Sequence, residues 1–165
     1  MKIGILSSII MFAPFLGAFM AGRKQGTPKI NETEIADKII EKEKNALARW
    51  NKGDPWGYLE IFADEITYFN PFEKHRIENL DEMNKYYGAL AGQNSIDECK
   101  MIDPKVQFHG NIAILSYHLF NYKKQSDGSL KESTRWNSTK IYSFQDDDWK
   151  IIHNHWSFLQ PEIKK

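Results

Sequence analysis

The chain has 165 residues, with 22 Lys and Arg against 22 Asp and Glu, a length that suits one domain of ordinary size. Zero formal charge removes the basic face with which nucleic-acid binders displace counterions, and 27% charged with 41% hydrophobic residues excludes a disordered acidic tail or a multispanning membrane protein. The single cysteine, Cys99, excludes an intrachain disulfide and a Cys-rich zinc site. Ten Phe, seven Tyr and five Trp point instead to a core or pocket built from flat rings.

Met1-Lys2 is followed by an uncharged run from Ile3 to Ala21 and then by Gly22-Arg23-Lys24. A short positive start and an apolar run predict a signal peptide over 1–22. Uncleaved, the same run would just span about 30 Å of hydrocarbon as an N-terminal anchor. The expectation is an exported protein, periplasmic or secreted, touching a membrane only through residues 3–21 if that segment stays. Residues 23–31 form a polar linker, and 161–165 a C-terminal tail.

Asn31 with Glu34 three residues on is a capping-box pair. Ile35, Ile39, Ala46, Leu47 and Trp50 then share a helical face, and the helix stops at Gly53. Asp54-Pro55 opens a second short helix to about Phe62. Residues 66–70 have strand composition and end at Pro71. Asn79 and Glu82 start a third helix carrying Leu80, Met83, Tyr86, Tyr87 and Leu90. Four strands follow over about 97–109, 111–122, 133–145 and 149–159, divided by Gly110-Asn111, Ser126-Asp127-Gly128-Ser129 and Asp146-Asp147-Asp148, all turn chemistry. Short separators between long strands mean antiparallel hairpins, and Pro104 needs an edge or a bulge. This order predicts an α+β domain with helices on one face of a curved sheet.

Gly53-Asp54 … Ile66-Thr67-Tyr68-Phe69-Asn70-Pro71-Phe72 resembles the ketosteroid isomerase and SnoaL-like branch of the nuclear transport factor-like superfamily. Thr139-Lys140-Ile141-Tyr142 … Trp149-Lys150-Ile151-Ile152-His153-Asn154-His155-Trp156-Ser157 is also similar to the association (hub) domain of calcium/calmodulin-dependent kinases. Together the two resemblances cover about 32–160. They imply a cone-shaped, cystatin-like roll, its curved antiparallel sheet wrapped over three N-terminal helices, with a mostly apolar pocket inside the cone and assembly into a homodimer or higher homo-oligomer. They also show where this chain departs from the isomerases. The catalytic aspartate position falls on Asn70, whose amide accepts no proton, and the helix tyrosine position falls on Ala46.

With Asn70 inward, strand alternation brings Tyr68 to the same face. The hub-like match puts Trp156 inward, with Asn154 and Ile152 beside it. Lys140 takes the place of a hub pocket arginine, carrying Trp136, Ser138 and Tyr142 inward. Ser116 takes the place of another arginine, with His118 on its face. The expected ligand-binding set is therefore Tyr68, Asn70, Ser116, His118, Trp136, Lys140, Tyr142, Asn154 and Trp156, an aromatic lining with a few polar groups. An inward Lys140 would favour a carboxylate. The competing reading makes the rings plain core and lets Lys140 snorkel to the rim.

His118 is the candidate catalytic residue, as a non-standard acid–base group of an isomerase, cyclase or dehydratase. His153 and His155 share a strand face and could ligate a metal, but no motif supplies a third ligand. Neither a metal nor another cofactor is expected. The Asp146–Asp148 run fits a solvated turn better than a calcium loop, and Cys99 reads as a small buried thiol. Two functions stay open: a SnoaL-like domain binding a small apolar or amphiphilic molecule, with or without a carboxylate, and a hub-like oligomerisation domain with a vestigial pocket.

Overall fold

A computed structural model describes residues 31–93 and 96–159; the expected signal or anchor segment, nearly all of the linker, and the tail lie outside these residues. The first helix, α1 (Glu32–Trp50), begins where Asn31 Oδ1 accepts the Glu34 N–H at 3.4 Å. The turn that closes it runs to Gly53, whose φ of 79° suits glycine. A side chain there would also drive a Cβ to 2.8 Å from the Gly92 Cα. The two turns are joined by the Gly92 N–H donating to the Gly53 carbonyl at 2.8 Å.

The second helix, α2 (Trp56–Leu59), is a single turn, and the first strand, β1 (Phe62–Phe69), starts four residues earlier than its composition suggests. Tertiary pairing overrides local preference here, because Phe62 aligns with Ile151 and the Ile61 carbonyl accepts the Ile151 N–H. The third helix, α3 (Leu80–Ala89), is capped by Asn79, whose Oδ1 accepts the Glu82 N–H at 2.9 Å.

The remaining strands are β2 (Glu98–His109), β3 (Ile112–Lys124), β4 (Leu130–Gln145) and β5 (Asp148–Phe158). They form the expected antiparallel meander, with two-residue turns at Gly110-Asn111 and Asp146-Asp147; both aspartates hold positive φ. The sheet order is β1-β5-β4-β3-β2. At one edge β1 pairs parallel to β5, so the sheet is mixed rather than wholly antiparallel. At the other edge Pro104 sits in the β2 register shift between Ile102 and Lys105, beside Asp103 at φ 49°.

The concave face packs on the helices. Ile39, Ala46 and Leu47 of α1 and Met83 and Tyr87 of α3 meet Ile66, Tyr68, Leu115, Leu119, Tyr142 and Ile151 of the sheet in one core. The architecture is the α+β roll that the element order predicts, and among the described residues no helix is long and apolar enough to cross a membrane.

Candidate functional site

Helices and sheet leave between them a cavity of about 750 Å³, lined by Tyr58, Tyr68, Tyr86, Trp136 and Trp156 among others. Its size and ring-rich walls are those of a small-molecule site. Four of the residues expected to bind ligand reach it: Tyr68, Asn70, Trp136 and Trp156. Asn70 caps the turn into Pro71, its Oδ1 accepting the Phe72 N–H at 2.7 Å and its Nδ2 donating to the Tyr86 hydroxyl at 3.3 Å. Phe72 and Trp136 on the lining stack edge to face or tilted with Phe158, Trp136 and Phe158 centroids being 4.3 Å apart.

Lys140, Tyr142 and Asn154 point inward as expected, but they lie beneath the cavity rather than on its lining, fully buried. They belong to a cluster around Glu43, an α1 residue that is itself 0% exposed. The hydroxyls of Tyr58 and Tyr117 donate to Glu43 Oε1 at 2.7 and 2.5 Å, and that of Tyr142 to Oε2 at 3.1 Å. Lys140 Nζ stands 3.4 Å from Glu43 Oε1 and donates to Asn154 Oδ1 at 2.9 Å. Its ammonium also faces the Trp156 and Tyr58 rings at 4.5 and 4.9 Å from their centroids, a favourable cation–π placement. Burial, then the Glu43 charge, pushes the three hydroxyls well above the ordinary tyrosine range. Burial lowers the Lys140 ammonium, and Glu43 opposes that shift. Lys140 is thus matched by a partner inside the fold, and a carboxylate ligand loses the free cation that would have recruited it.

Ser116 and His118 do not face the cavity. In the β3–β4 register the inward Lys140 stands opposite Leu115, and the inward Trp136 opposite Leu119. The inward set of β3 is therefore Ala113, Leu115, Tyr117, Leu119 and Asn121, and a strand's period of two sends Ser116 and His118 to the convex face. There His118 Nδ1 pairs with Asn137 Oδ1 at 2.8 Å, too remote from the cavity for acid–base work on its contents. A second phase error involves Ile152. Tyr142 aligns with Ile151 and Ile141 with His153, so a bulge leaves Ile152 extra and turns Ile151 into the core.

His153 and His155 also lie on the convex face, the side expected for them. His153 Nδ1 meets Thr67 Oγ1 at 2.8 Å, and both rings contact Phe69. Burial, with smaller contributions from His155 and Arg76, lowers the His153 imidazole below its ordinary value.

The residues that motif reading missed are Glu43, Tyr58, Tyr117, Asn51 and Asn121. Glu43 carried a signal: it sits four residues after Ile39 and four before Leu47, in the middle of the apolar stripe.

The sequence profile of the calcium/calmodulin dependent protein kinase II association domain matches residues 31–160. A search of curated proteins finds no match. Among solved structures the chain is similar to a Parabacteroides distasonis protein described as a candidate ketosteroid isomerase. The two share 33% identity over 82% of this chain and 95% of that one, with a TM-score of 0.67. The C. elegans kinase II association domain shares the fold at 20% identity over 77% of this chain and 99% of that one, TM-score 0.63. A Salmonella enterica protein of the nuclear transport factor 2-like superfamily shares it at 18% over 79% and 95%, TM-score 0.61.

Proposed function

We propose a function from one premise: this chain belongs to the calcium/calmodulin dependent protein kinase II association domain family. In our reading it is a SnoaL-like ligand-binding domain that holds a small apolar or amphiphilic molecule in the cone cavity. The observation that carries this reading is the cavity of about 750 Å³ walled by Tyr and Trp rings. The isomerase mechanism has no base here, since Asn70 spends both ends of its amide on Phe72 and Tyr86.

The same domain assembles with a second copy in this reading. Its family favours self-association, and the convex face offers Phe69, 43% exposed, beside His153 and His155. Export is proposed too, on the uncharged run from Ile3 to Ala21.

Native mass spectrometry of the purified chain, followed by release and identification of bound small molecules, tests the reading. A dimer carrying a stoichiometric organic ligand is expected. A ligand-free ring would overturn the binding reading and leave an assembly domain. N-terminal sequencing of protein recovered outside the cytoplasm tests export; an intact Met1 in the cytosolic fraction would overturn it.

A further inference from the structure

A second groove of the domain takes no part in the function proposed above. It runs along α1, between that helix, the α2 turn and the β4–β5 hairpin, holds about 650 Å³ and shares no lining residue with the aromatic cavity. Its apolar lining is Ile35, Ile39 and Ala46 of α1 with Ile61, Phe144 and Trp149. Phe144 is 45% exposed, and its ring tilts against Trp149 with centroids 5.4 Å apart. The three cations of the groove are matched within the fold: Lys38 by Glu34, Lys42 by Asp148, and Arg49 by Asp54 and Glu60. Glu41 on the helix and Asp147 on the hairpin also line it, and neither has an ion-pair partner among the described residues. The groove therefore presents apolar surface and two unanswered carboxylates.

The chain itself carries an occupant that matches in starting point, charge and length. Residues 23–30 lead directly into Asn31, the cap of α1, and hold Arg23, Lys24 and Lys29 with no acidic residue. Ile30 precedes that cap and Ile35 is the fourth helical residue, the two positions that a hydrophobic staple joins. Ile35 is also where the groove begins on α1. From Ile35 to Arg49, the ends of the helical lining, α1 rises about 21 Å, and eight extended residues reach about 26 Å. We propose that residues 23–30 fold back onto this groove, Ile30 seated on Ile35 and the basic side chains facing Glu41 and Asp147. The docked segment ties the point where the chain enters the domain to its last hairpin.

The test is photocrosslinking of the full chain with benzoylphenylalanine in place of Gln25, on an equal mixture of light and isotopically heavy protein. Proteolysis and mass spectrometry should find crosslinks within one chain, to residues 42–49, 57–61 or 144–149. Glu41→Lys combined with Asp147→Lys should lower the crosslinking yield about two- to fivefold. Amide hydrogen exchange follows the docking without a label: Ile30→Ser should speed exchange over 144–149 about fivefold or more and leave β2 unchanged. Thermal unfolding checks each variant; should the double lysine variant fail to fold, Ile30→Ser carries the comparison. Crosslinks joining light to heavy chains would overturn the proposal and assign the groove to a second copy. Crosslinks to any other part of the domain, no crosslinks, or exchange unaffected by Ile30→Ser would overturn it as well, and a yield unmoved by the folded double lysine variant would overturn the charge match.

Discussion

The floor and the wall of one cavity solve the problem of a buried polar atom in opposite ways. Beneath the floor, Glu43 takes three tyrosine hydroxyls and Lys140, and Lys140 takes Asn154. These charges answer one another inside the protein and never reach a guest. On the wall, Asn51 and Asn121 bind a neighbour with one end of the amide, while the other end is buried with no donor among the described residues. A buried charge is thus no sign of a binding site when its counter-charge is built in.

That contrast can be broken most severely at its centre. Glu43→Gln leaves the Lys140 ammonium buried without a counter-charge and should cost about 3–5 kcal/mol in denaturant unfolding. The double variant Glu43→Leu/Lys140→Met should lose less than the single one, because removing both charges leaves none stranded. A single-variant loss below about 1 kcal/mol would mean that the pair is exposed to water.

Alkaline pH attacks the same cluster. The folded-state values of Tyr58, Tyr117 and Tyr142 are raised. Their contribution is therefore fully present below the unfolded tyrosine value of about 10 and is lost as pH rises through the folded values. Unfolding midpoints should fall above about pH 10, and tyrosinate absorbance from these three should appear only with unfolding. Tyrosinate forming in the still-folded protein would contradict their burial.

On the cavity side, Trp156→Ala should weaken binding of a naphthalene probe at least tenfold, about 1.4 kcal/mol, with circular dichroism unchanged. The smallest effect is expected at His118→Ala, within about 0.5 kcal/mol in stability and with no change in affinity. A tenfold loss of affinity there would place His118 at the cavity after all.

Much of the roll was legible in the chain, because caps and turns are local. Asn31 with Glu34, Asn79 with Glu82, and Asp146-Asp147 each announce a boundary without help from distant residues. Pro104 foretold its own bulge. Strand faces were less legible, since they depend on register, and register is a property of two strands. Aligning Ser116 with a hub arginine inverted the assignment for His118 as well, while the rings of Trp136 and Trp156 came out on the correct side. The start of β1 was hidden for a related reason: residues 62–65 become strand only through β5. Glu43 was passed over because an acidic residue in an apolar stripe resembles a surface position, and the tyrosines that bury it are contributed by α2, β3 and β4.

The parallel pairing of β1 with β5 also sets the order of events as the chain folds. Thr67 and His153 are partners 86 residues apart in sequence, so the loop they close is among the most expensive in the domain. On the ribosome β1 can form its bridge to Ile77 but no strand ladder until β5 has been made. Until then the apolar stripes of α1 and α3 wait on an unfinished roll. Folding therefore waits on β5 and is slow for a domain of this size. Deletion of β5 would leave both β1 and β4 as unprotected edges and turn the domain into an aggregating chain.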